Sequence, residues 1–136
     1  MKKFITILAV TATLLLTLGS CSMHDINGDL DGQWQVVSIV TADGTELPCT
    51  DFYFRVQQHI VQLVPDGGGP RDHIGTGVLD YDRGDKEMTV TFPYAKDGNL
   101  SMWGIPGNSV TYNITKLSHQ NCTLVSADAT LTMRKW

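Results

Sequence analysis

The side chains able to do chemistry in this chain are four histidines, three cysteines and a set of aromatic and thioether residues in alternating runs. His24, His59, His73 and His119 stand far apart with no cysteine or second histidine at a ligand interval, so neither a metal site nor another cofactor is expected. Serines and carboxylates fall among turn residues, and no nucleophile sits where a base would be held beside it, which points to binding rather than catalysis. Arg83-Gly84-Asp85 has the makeup of a tight turn, in which glycine supplies a positive φ and the flanking charges keep the tip soluble. Phe54, Met88, Val90, Phe92, Tyr94, Met102, Tyr112 and Met133 form the remaining candidate group. They suit the lining of a small apolar pocket, where thioethers adapt and tyrosines offer hydroxyl handles, and they equally suit a solid core.

Cys21 carries a different chemistry. Met1-Lys2-Lys3 precedes an unbroken apolar run from Phe4 to Leu18, too short to span a bilayer comfortably and laid out as a secretory signal. Leu18-Gly19-Ser20-Cys21 resembles the bacterial lipoprotein signal, which implies cleavage before Cys21 and acylation of its thiol. Several acyl chains hold a protein durably on a membrane, at about 0.8 kcal/mol per buried methylene. Residues 1–20 are thus expected to be a signal peptide, residues 21–30 a lipidated N-terminus and flexible tether, and residues 31–136 the folded domain. Ser22 lacks the aspartate associated with inner-membrane retention, so an exported, outer-membrane location is expected, on the periplasmic face or at the cell surface.

Composition narrows the partners. Without residues 1–20 the formal charge is −6 and no basic patch survives, which argues against nucleic acid as a partner. The two thiols beyond Cys21, Cys49 and Cys122, would fold in an oxidising compartment, and a disulfide between them is the expectation. Closing so long a loop stabilises by roughly 4 kcal/mol on the chain-entropy account.

These groups must be positioned by strands. Trp34, Val36, Ser38 and Val40 alternate with Gln33, Gln35, Val37 and Ile39, and the parity of apolar residues flips between Phe52–Phe54–Val56 and Val61–Leu63, which demands a bulge or turn near Gln58-His59. Ile74–Tyr81 is extended, with Gly75 and Gly77 on one face marking a bend or a close backbone approach. Met88–Tyr94, Leu100–Trp103, Val110–Thr115, Thr123–Val125 and Leu131–Met133 follow, separated by Gly, Pro, Asn and Asp turns. About eight such segments with no helical period predict an all-β, antiparallel up-and-down meander. Its simplest form is a closed barrel, and a two-sheet sandwich is the alternative.

Gly32-Gln33-Trp34 opening the first strand and Arg134-Lys135 closing the last resemble the lipocalin superfamily, and especially the short lipocalin-like lipoproteins of Bacteroidetes. That resemblance implies a barrel end plugged by Gly32 and Trp34, with a basic side chain from the final strand over the indole. With Leu131 and Met133 inside, parity assigns that place to Lys135, where the family usually has arginine, and turns Arg134 outward. The resemblance further implies a small apolar or amphipathic ligand. A packed barrel working as an accessory subunit or inhibitor through its outer face, with the Pro65–Asp72 loop touching a protein partner, is the other expectation. Replacing Cys21 with Ser should move the protein from the membrane fraction to the soluble one, as read by fractionation; undiminished membrane retention would refute the lipid anchor.

Overall fold

The computed structural model describes residues 26–67 and 73–136. Cys21, His24 and the centre of the Pro65–Asp72 loop lie outside that range. Nine strands run in chain order: β1 (Gly32–Thr41), β2 (Glu46–Leu47), β3 (Tyr53–Gln57), β4 (Ile60–Val64), β5 (Thr76–Asp80), β6 (Glu87–Thr91), β7 (Ser109–Leu117), β8 (Asn121–Val125) and β9 (Ala129–Lys135). Every pairing is antiparallel, consecutive strands are neighbours from β3 to β9, and β1 pairs with both β3 and β9. Eight strands therefore close into a barrel, and the two-residue β2 lies on the flank of β1 as an addition. Among the described residues there is no α-helix, only three short 3-10 turns.

Alternation explains the core. In β6, Met88 and Val90 point inward while Thr89 and Thr91 face out; in β9, Ala129, Leu131 and Met133 are buried between Thr130, Thr132 and Arg134. Outward threonines pair across strands, as in the 2.9 Å contact of the Thr89 and Thr111 hydroxyls. The parity flip after Val56 is a tight turn at Gln58-His59, with Gln58 at φ 54°.

Three sequence-based expectations change. Register slips at Val37 in β1, so Ile39 and not Val40 turns into the core, while Val37 is left exposed; the extra residue is a bulge. Leu100–Trp103 is not a strand but leads into the 3-10 turn Ser101–Trp103, because Gly98 and Gly104, at positive φ, bend the chain at both of its ends. Gly28–Leu30, expected within the tether, form a packed 3-10 turn preceded by Asn27, with Leu30 wholly buried and Asn27 nearly so.

Gly77 in β5 is a position no other residue fills. A Cβ there would lie 2.6 Å from Val90 Cγ1 and 2.9 Å from two Phe92 ring carbons, so the missing side chain is the space the Phe92 ring occupies. Gly77→Val should therefore overpack the barrel and cost about 1–3 kcal/mol, visible as a lower urea midpoint. An unchanged midpoint would show that the interior yields at this point.

Candidate functional site

The two ends of the barrel are closed by different chemistry. At the first, the 3-10 turn Gly28–Leu30 crosses the opening and Trp34 fills it from β1. The indole Nε1 donates to the Leu30 carbonyl at 2.9 Å, and Lys135 Nζ stands 4.1 Å from the ring centroid. Register dictates this choice of cation: Lys135 is directly opposite Trp34, and directly opposed residues share a face. Arg134, opposite Gln35, points outward and donates from Nε to Gln35 Oε1 at 2.7 Å. Lys135 also donates to the backbone carbonyls of Asp29, at 3.0 Å, and Asp31. Gly32, at φ 126°, lies against the Lys135 side chain, where a Cβ would meet Nζ at 3.0 Å. Asn27 completes the plug. Its amide donates to Asp31 Oδ1 and to the Gln58 carbonyl, both at 2.7 Å, so one side chain ties the N-terminal turn to the β3–β4 hairpin.

At the opposite end the long connection from Phe92 to Asn108 folds over the opening. It places Leu100, Trp103 and Ile105 in the core, and the Trp103 ring packs on Phe52 with centroids 4.7 Å apart. Phe92 N donates to the Asn108 carbonyl at its base. Among the described residues, the hydrogen bonds beyond that point, from Ala95 to Ile105, close within the connection itself. The loop is held by apolar contact, including Gly104 pressed against Ala129 and Ile39.

Between the ends lie Phe54, Met88, Val90, Phe92, Tyr112 and Met133, all at most 1% exposed. Phe54 meets Tyr112 edge to face at 6.4 Å, and Met88 is opposite Tyr112 across β6 and β7. Tyr112 Oη is buried with no hydrogen-bond partner among the described residues, and burial drives its phenol well above the usual range.

A family model described as a lipocalin-like domain matches residues 14–136. The chain belongs to the lipocalin-like family. A crystal structure of a lipocalin-like protein from Bacteroides uniformis is 23% identical, with 80% of this chain and all of that one covered at a TM-score of 0.60. An uncharacterized protein from Bacteroides eggerthii is 14% identical, with 78% and 98% covered and a TM-score of 0.58. Both likenesses are of fold. No curated protein matches the chain.

Seen as a lipocalin-like barrel, the sequence-based candidates sort cleanly. Gly32, Trp34 and Lys135 meet at the plugged end, and Arg134 does not join them. Two pocket candidates fall outside the barrel. Tyr94 is 65% exposed and packs its ring near His73 at 5.8 Å, because Pro93 offers no ladder donor and the chain has already turned at Phe92–Ala95. Met102 is 47% exposed, since the 3-10 turn gives the inward place to Trp103. Cys49 and Cys122 are free thiols, not a disulfide. Cys49 follows β2 on the flank of β1, with Sγ near the Val36 carbonyl, while Cys122 sits in β8 opposite Met133, so β1 and β9 intervene. That spacing exceeds the reach of an S–S bond. Burial pushes the Cys122 thiol up to about 12 and raises that of Cys49, which keeps both protonated at neutral pH.

The other histidines stay apart. His59 is exposed in its hairpin turn, and His119 contacts Asp29 at 3.0 Å in solvent, where an ion pair contributes little. Among the described residues, no three of His, Cys, Asp and Glu gather as a metal would require. Arg83 folds back so that Nε would lie 2.8 Å from a Cβ on Gly28, and Tyr81 Oη accepts from Gly84 N at 3.2 Å; the tripeptide is built into its turn. Asn27, Leu30 and Trp103 were not singled out from sequence. Trp103 alone carried a signal, as a large aromatic between two glycines.

Lys135→Met should lose the ammonium over Trp34 and its two carbonyl contacts, lowering stability by about 1–3 kcal/mol. Arg134→Met should change it by less than about 0.5 kcal/mol. Equal effects in thermal or urea melts would contradict the assignment of the plug to Lys135.

Proposed function

We propose that this protein is an outer-membrane-anchored lipoprotein whose lipocalin-like barrel binds a small apolar or amphipathic molecule, admitted at the end covered by the Phe92–Asn108 connection. The anchor rests on the signal at residues 1–21. The binding reading rests on one observation, the asymmetry of the ends. Side-chain to backbone hydrogen bonds and a cation pin the Trp34 end, whereas the Trp103 end is covered by a loop whose own hydrogen bonds survive if it swings away. Apolar contacts are non-directional and reform readily, so this cover can open without stranding a buried polar group. Two core methionines, Met88 and Met133, give the interior side chains that repack at low cost.

A second reading has its own support. Gln33, Arg55, Gln57, Gln62 and the exposed Ile60 border a groove of about 540 Å³ on the outer face of β1, β3 and β4, and Ile60 lies beside the exposed Val78 of β5. None of the interior candidates borders it. A barrel that works through this face would be an accessory subunit or inhibitor.

Hydrogen exchange separates the two. Amides of Ala95–Ile105 should exchange at least ~10-fold faster than those of β1 and β9, and a neutral apolar dye such as Nile red should fluoresce on binding and slow that loop. Dye binding that protects Gln57–Gln62 and leaves the loop untouched would move the site to the outer groove. A loop that exchanges as slowly as the strands would refute its role as the opening.

A further inference from the structure

We infer that the barrel takes a neutral amphiphile with a single hydrogen-bonding group, such as a long-chain alcohol, ketone or ester, whose polar atom pairs with Tyr112 Oη, and that it rejects the ionised acid of the same length. The inference rests on the proposed interior site and specifies what that site selects.

Tyr112 Oη is the buried side-chain polar atom among the described residues that has no partner. Native interiors leave few such groups, and each forgoes a favourable interaction that an incoming molecule could supply. What surrounds it sets the class of molecule. Tyr112 is opposite Met88 in β6 and is met edge-on by Phe54, and most of the surrounding core is aliphatic, aromatic or thioether; the Trp34 indole and the Tyr81 hydroxyl are already paired, with the Leu30 carbonyl and the Gly84 amide, and the Cys122 thiol is only weakly polar. One polar atom in such a setting matches one polar atom on a ligand.

Charge is excluded by the same geometry. Among the described residues the buried polar and charged ones are Asn27 and Asp31, both in the plug, where Asn27 donates to the Asp31 carboxylate through its backbone and side-chain nitrogens. Lys135 reaches the Trp34 ring, but its ammonium is held by the Asp29 and Asp31 carbonyls. A carboxylate carried into the barrel would lose its hydration, and among the described residues no buried cation stands free to replace it. An alcohol or carbonyl loses far less and gains a bond to a phenol that burial keeps protonated and able to donate.

The experiment uses the full mature chain carrying Cys21→Ser, titrated at pH 8 with decan-1-ol, 2-decanone, decanoate and decane while tryptophan emission is followed. Decanol and decanone should bind at least ~30-fold more tightly than decanoate. Tyr112→Phe should weaken decanol binding ~10-fold and leave decane unchanged. It should also raise the unfolding midpoint of the empty protein, because it removes an unpaired buried hydroxyl; a hydroxyl that served the fold would give the opposite shift. Decanoate binding as tightly as decanol, or a Tyr112→Phe protein that binds decanol as well as the parent, would overturn this inference while leaving the interior site standing. Should Tyr112→Phe fail to fold, the comparison of decanol with decanoate on the parent decides alone. No binding of any of the four probes would overturn the interior site itself.

Discussion

Closure of the sheet by β1 and β9 is the constraint on which the rest of the molecule depends. Seven residue pairs join these strands, and the slip at Val37 lets one strand bend around the barrel while keeping hydrogen bonds on both flanks. The register of that seam does more than remove two edges. It sets Lys135 opposite Trp34, and so decides which of two adjacent basic residues enters the plug. It also sets Met133 opposite Val36 on one side and Cys122 on the other, which builds the layer above the plug. A one-residue shift would exchange inward and outward side chains along the whole of β9.

The barrel is stabilised by two kinds of closure with different responses to water. The plug satisfies its own polar groups: the indole N–H, both amide protons of Asn27 and the lysine each have an oxygen to meet. Pulling it open exposes all of them at once. The cover at the other end buries Leu100, Trp103 and Ile105, with Trp103 on Phe52 and Gly104 against Ile39 and Ala129, and among the described residues no hydrogen bond crosses from it to the strands beyond its base. Its removal costs apolar area alone. The interior between them holds large side chains, with one hydroxyl out of keeping with its neighbours.

Most of the barrel could be read from alternation because antiparallel strands with one wet face write a period of two into the sequence. β6 and β9 show it without interruption, and the Gln58-His59 turn showed itself as a break in parity. What escaped did so for local reasons. The bulge at Val37 is silent, since Val, Ser, Ile and Val satisfy either parity. Pro93 hid the end of β6, so Tyr94 continued a pattern on paper that the backbone had already left. Leu100–Trp103 has strand-like composition and is curled by glycines at both ends. Asn27–Leu30 reads as polar tether because its burial depends on partners, Gln58 and Asp31, that only the fold supplies. The cysteine pairing failed because separation along the chain says nothing of how many strands intervene. In the candidate site, the end plug was legible from Gly32, Trp34 and the parity of Lys135; the cover was not.

The described chain starts at the plugged end, where Ile26 leads into Asn27 beneath the barrel. Whatever is joined ahead of it is joined at that pole. Cys21 precedes Ile26 by five residues, a stretch that spans at most about 18 Å between Cα atoms when fully extended. The proposed lipid there would hold the barrel by its plugged pole and leave the Trp103 cover at the pole farther from the membrane. On the proposed reading, a ligand entering through that cover would come from the surrounding fluid and not directly from the bilayer underneath.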